Sequence, residues 1–202
     1  TLTPVSEARI VYTPAHHTLK TGDVFHLDLN HDRINDFLIS NYSFCTADVC
    51  GRTLRVLPAA SRNHVVGAKG IGGPFYAYAL KRGVKIGPRQ PFSGKLMVAS
   101  GTEYGTVGQW LNVSDRYLGL KFVIHGRTHF GWARLSVIVG GGTITGALTG
   151  YAYETIPNKS IIAGRTKGPD VVTVQPATLG HLARGASAIP AWRQKELAGA
   201  TQ

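Results

Sequence analysis

YLGLKFVIH (Tyr117–His125), the dipeptide Gly126-Arg127 and THFGWARLSVIV (Thr128–Val139) read as a single β-hairpin. Leu118, Leu120, Phe122 and Ile124 alternate with less apolar neighbours, which is the period of a strand with one buried face. The two residues Gly126-Arg127 are expected to form its turn, with His125 opposite Thr128. Gly140-Gly141-Gly142 then reverses the chain into Thr143–Glu154, whose threonines and tyrosines suit a third antiparallel strand. Working outward, similar short segments occur at Arg9–Thr13, Asp23–Leu29, Asp36–Phe44, Thr53–Leu57, Pro74–Leu80 and Val171–Val174. The stretch Ala59–Gly73 is polar and rich in glycine, and reads as a long surface loop. With 25 glycines and 10 prolines among 202 residues, the chain punctuates strands rather than building helices. The expected fold is all-β: an antiparallel β-sandwich or jelly-roll-like domain over residues 1–174. The Ala-rich remainder, 175–202, is a C-terminal extension of partly helical character, interrupted at Pro190.

Composition narrows partners more than it names them. Lys and Arg number 22 against 11 acids, for a net charge of +11, and 43% of residues are hydrophobic, enough for a core and too many for a disordered chain. Such a charge attracts acidic polysaccharide, nucleic acid or an anionic surface. The basic residues are scattered and no nucleic-acid-binding motif accompanies them, so nucleic acid is not the expected partner. The cysteines, Cys45 and Cys50, are two in number, and a bridge between them would suit an exported protein; two buried thiols are the competing reading. No run of about 18 apolar residues predicts a membrane span. Thr1, standing without a preceding Met, is read as a processed start.

The chemistry-bearing stretch is Asp28-Leu-Asn-His-Asp-Arg-Ile-Asn-Asp36. Asp28, Asn30, Asp32 and Asp36 hold positions 1, 3, 5 and 9, with the carbonyl of Ile34 at position 7. Calcium takes about six to eight oxygens, and such alternation wraps one ion while neutralising carboxylates that otherwise repel. Ile39 stands where an EF-hand carries its twelfth-position Glu, and strand residues follow. The stretch resembles the DxNxDGxxD calcium loop of FG-GAP and related β-repeat proteins, with His31 and Arg33 where such loops carry glycine. The resemblance implies a calcium cofactor; a metal-free Asx-turn between two strands is the alternative.

Other groupings point less strongly to chemistry. On the expected register His125 and His129 face opposite sides, so a shared zinc is not expected. Glu103 and Glu154 are the carboxylates a glycosidase would need, but nothing local marks either, and no GxSxG elbow occurs. No catalytic residue is assigned. Tyr104, Trp110 and Tyr153 could offer a sugar-stacking row; aromatics on strands more often fill a core.

The block Tyr117–Gly164, with HFGWARLS at His129–Ser136 and GYAYETIPN at Gly150–Asn158, resembles secreted bacterial β-rich proteins of unassigned function that carry a PEP-CTERM-like sorting tail. Leu179–Arg193 matches the tail pattern LGxLAxGAxxLxxWRR in outline, without a Val-Pro-Glu-Pro signal. The resemblance implies export and a place at the cell surface or in the extracellular matrix. The expected function is a non-enzymatic structural subunit that assembles with copies of itself into a filament or matrix. A binding module for acidic exopolysaccharide is the alternative.

Overall fold

The computed structural model describes residues 9–71, 73–101 and 105–168. Tyr104, Glu103, Val171–Val174 and the extension 175–202 lie outside them. Within the described residues the chain is all-β and folds as a β-sandwich, with every regular element a strand.

The strands are β1 (Ile10–Leu19), β2 (Val24–Leu27), β3 (Phe37–Cys45), β4 (Cys50–Pro58), β5 (His64–Val65), β6 (Gly67–Lys69), β7 (Phe75–Ala77), β8 (Lys85–Ile86), β9 (Leu96–Gly101), β10 (Gly105–Gly108), β11 (Val113–Ile124), β12 (Arg127–Gly140), β13 (Thr143–Glu154) and β14 (Ile161–Ile162). The front sheet runs β1-β13-β12-β11-β5, so the predicted meander is its centre. The back sheet runs β2-β3-β4-β9-β7-β6, with β10 also on β9. All ladders are antiparallel except the short β7–β9 contact.

Between the sheets Leu118, Leu120 and Phe122 of β11 and Ala133, Leu135 and Val137 of β12 meet Phe37, Ile39, Leu54, Val56 and Val98 from the back sheet. Alternation thus aims one set of each strand inward, and burying a large aliphatic or aromatic side chain contributes about 1.5–3 kcal/mol. The other face of the front sheet is covered too. Tyr117, Phe130 and Trp132 pack there under Ile86 and Ile161 of the small β8–β14 ladder. Both faces of β12 are therefore dry over its middle, which explains the near-continuous apolar run in that strand. Asn41, fully buried, crosses the sandwich: its amide donates to the carbonyls of Leu19 (3.1 Å) and Ile144 (2.7 Å).

Cys45 and Cys50 face each other at the turn end of the β3–β4 hairpin and form a disulfide. Two expectations need correction. The hairpin turn is His125-Gly126, one residue earlier than expected, with Ile124 opposite Arg127 and Val123 opposite Thr128. Both turn residues take positive φ (47° and 79°), as a two-residue type I′ turn demands. The segment Ala59–Gly73 is not a free surface loop. It contains β5 and β6, and Asn63, Val65, Val66 and Gly67 are buried. A side chain at position 67 would overlap the Tyr76 carbonyl oxygen, so its glycine serves close backbone approach.

The sheet edges are blunted. Edge strand β1 carries Pro14 and an irregularity between Pro14 and His17; β2, β5 and β6 have two to four residues each. These are the usual devices against strand addition.

Candidate functional site

The segment Asp28–Asp36 is the loop of the β2–β3 hairpin, so pairing of Leu27 with Phe37 fixes both its ends. Inside it the aspartates bind the loop's own amides. Asp28 Oδ2 accepts from the Arg33 N–H (2.8 Å), Asp32 Oδ1 from the Ile34 N–H (2.8 Å), and Asp32 Oδ2 from the Asn30 amide (2.9 Å). Asp36 Oδ2 accepts from the Leu29 N–H (2.8 Å). His31 and Arg33 have φ of 60° and 71°, the left-handed conformation for which glycine is the usual residue. Those are the two positions where the resemblance expects glycine. His31 is held by a 2.8 Å hydrogen bond between its Nε2 and Thr13 Oγ1.

Two buried side-chain oxygens of this loop have no hydrogen-bond partner among the described residues. Asp28 Oδ1 and Asn30 Oδ1 are buried, and among the described residues neither receives a hydrogen bond. Leaving a buried acceptor unsatisfied costs about 1–3 kcal/mol. Asp36, only 6% exposed, is raised to a pKa of about 6, first by burial and then by the charges of Asp28 and Asp32, against the opposing Leu29 hydrogen bond. Among the described residues no three His, Cys, Asp or Glu side chains gather into a metal-holding group. The loop's oxygens come mainly from carboxylates and one amide spread along a single segment. Ile34, whose carbonyl was expected at position 7, exposes its side chain to solvent.

Of the possible aromatic row, Tyr104 lies outside the described residues and Trp110 does not reach the surface. Trp110 is fully buried in the sandwich core, its Nε1 donating to the Ala77 carbonyl (3.0 Å), because an indole that satisfies its one donor packs better inside than out. Tyr153 is half-buried, with Phe122 edge-on at 5.6 Å. Glu154 is buried, pairs with Lys159 (3.5 Å) and accepts from the Ile156 N–H (3.1 Å). That carboxylate holds the chain after β13 in place.

The histidines are also placed differently from the sequence reading. Because the turn is one residue earlier, His125 and His129 line one open cleft of about 600 Å³, together with Arg127, Tyr153 and Thr155. Nothing in the spacing announced this cleft, since its walls come from a hairpin and from residues some thirty positions later. His129 is buried, and its Nδ1 lies 2.9 Å from the Glu154 carbonyl oxygen. Tyr153 connects the cleft to the acidic loop: burial and the charges of Asp28, Asp32 and Asp36 raise its phenol above the ordinary pKa.

No family model matches the chain, and searches of the curated proteins and of the solved structures find no match to it. Among the described residues no helix is long and apolar enough to cross a membrane.

Proposed function

We propose that the chain is a non-enzymatic structural module of the cell exterior whose β2–β3 loop is braced by calcium. The observation that carries this reading is the pair of buried, partnerless oxygens, Asp28 Oδ1 and Asn30 Oδ1, beside the desolvated Asp36. A hard cation supplies what these oxygens lack and offsets the repulsion among the three aspartates. Asp28, Asn30, Asp32 and Asp36 would hold the ion, with the Ile34 carbonyl as the neutral ligand. The ion's role is to fix the loop. The disulfide supports placement in an oxidising compartment, outside the cytoplasm. Assembly with further copies belongs to the same proposal, and the blunted edges favour docking of surfaces over strand addition as its route.

Thermal unfolding in calcium and in chelator tests the ion. Calcium at about a hundred times its Kd should add about 2.7 kcal/mol, a rise of roughly 5–10 °C for a domain of this size. Asp28→Ala should abolish that rise. Equal melting of the wild type in both conditions would overturn the calcium reading. Electron microscopy of the same samples tests assembly: regular filaments or sheets support it, and monodisperse particles in both conditions refute it.

A further inference from the structure

We propose that the cleft at the β11–β12 hairpin is a binding site for a carboxylate-bearing sugar, a uronic acid unit of an acidic polysaccharide. This goes beyond the structural reading above and does not depend on the calcium ion. It also moves the carbohydrate alternative from the aromatic row, which Trp110 does not join, to a different set of residues.

The groups in the cleft divide into those that hold its shape and those left for a ligand. Glu154 anchors the wall through Lys159 and the Ile156 N–H. The Asn158 N–H donates to the Thr128 carbonyl (2.8 Å), and the Thr155 N–H to the Arg9 carbonyl (3.0 Å). The far wall is thus tied to β12 and to the start of β1, and little ordering remains to oppose binding. A volume of about 600 Å³ falls within the range of roughly 300–1,000 Å³ usual for small-ligand sites.

The unspent groups match a uronate. Arg127 is exposed at the rim, and its guanidinium offers paired N–H donors to a carboxylate. None of the described lining residues is acidic. His129 has a tautomer assigned by geometry: the Glu154 carbonyl can only accept, so Nδ1 carries the proton. Its Nε2 has no hydrogen-bond partner among the described residues and is left for a sugar hydroxyl. Thr155 Oγ1 accepts from the Arg9 N–H (3.3 Å), which leaves its own proton to donate. Tyr153 and Pro157 supply apolar surface for the C–H face of a pyranose ring. A metal is disfavoured because two histidines, without a third ligand, make no site for one.

The test is an NMR titration of the folded chain with trigalacturonate, using galactotriose as the neutral match. The acidic trimer should shift amides at 124–129 and 153–156, and the neutral one should bind at least about tenfold more weakly, the loss expected for a charge-assisted pair. Arg127→Gln, at an exposed position that the fold tolerates, should weaken the acidic trimer by a similar factor. Lys85→Gln, in the separate basic cleft beside Arg89, should change nothing. Equal binding of both trimers, no binding of either, or equal weakening by Arg127→Gln and Lys85→Gln would each overturn the proposal.

Discussion

The acidic loop Asp28–Asp36 and the basic cleft of His125, Arg127 and His129 share Tyr153 as a neighbour, yet they treat their polar groups in opposite ways. In the loop, buried oxygens lack partners and a carboxylate is held against its ordinary ionisation. In the cleft, each shape-holding group is matched, and what is unmatched faces the opening. The contrast separates two kinds of need. Unsatisfied groups inside a loop call for something that completes the fold, whereas unsatisfied groups in a rigid cleft call for something that arrives and leaves.

The sharpest way to break this contrast is through pH. Asp36 has a folded pKa of about 6 against an ordinary 3.8, so the native state holds that proton more tightly than the unfolded chain. Its contribution to stability is therefore fully present below about pH 4 and is lost as pH rises through about 6. At 1.36 kcal/mol per unit the loss is at most about 3 kcal/mol in chelator. Asp36→Asn, which keeps an oxygen for the Leu29 N–H, should flatten that dependence in chemical denaturation. Calcium, which binds the ionised form, should stabilise the wild type increasingly across the same window. A wild type and an Asp36→Asn variant with the same pH profile would remove Asp36 from the account of the loop.

A smaller effect is expected in the cleft. His129→Asn retains an amide donor for the Glu154 carbonyl but removes Nε2, so folding stability should fall by only about 1 kcal/mol while uronate affinity drops. His129→Leu strands the Glu154 carbonyl as well, and should cost about 1–3 kcal/mol more. Denaturant titration of the two variants, set beside their trigalacturonate affinities by NMR titration, distinguishes a ring that binds from a ring that merely fills space. Neither should alter the response to calcium.

The two regions also differ in how far the chain announces them. The loop is contiguous, its oxygens alternate, and the strands that bracket it show in Phe37-Leu-Ile, so its position was legible. So was the meander, because Leu118, Leu120 and Phe122 mark one face and Phe130 and Trp132 another. The cleft was hidden by a one-residue ambiguity. Gly126-Arg127 and His125-Gly126 are both plausible turns by composition, and choosing the first sends the two histidines to opposite faces. Strand β9 escaped because it runs through the middle of the back sheet, where Met97, Val98 and Ala99 are all buried and no alternation survives. Strands β5, β8 and β14 have two residues each and exist through partners distant in sequence, which no local pattern encodes.

Arg33 offers the finest comparison between loop and cleft, because there a positive charge works against the proposed ligand, whereas at Arg127 it works for it. Arg33 holds φ at 71°, where a side chain costs roughly 1–2 kcal/mol, and it is exposed beside three aspartates. Arg33→Gly relieves that strain but frees the unfolded chain, so net stability in chelator should change by less than about 1 kcal/mol. Removal of the charge should raise calcium affinity by about two- to fivefold at low salt, since an exposed charge contributes only some 0.2–1 kcal/mol. That gain should shrink in high salt, because the shorter Debye length screens the Arg33 charge from the ion. Calorimetric titration at two salt concentrations reads both quantities. Unchanged affinity at low salt would mean that Arg33 does not share the electrostatic field of Asp28, Asp32 and Asp36, and that the loop's glycine-like geometry matters for its backbone alone.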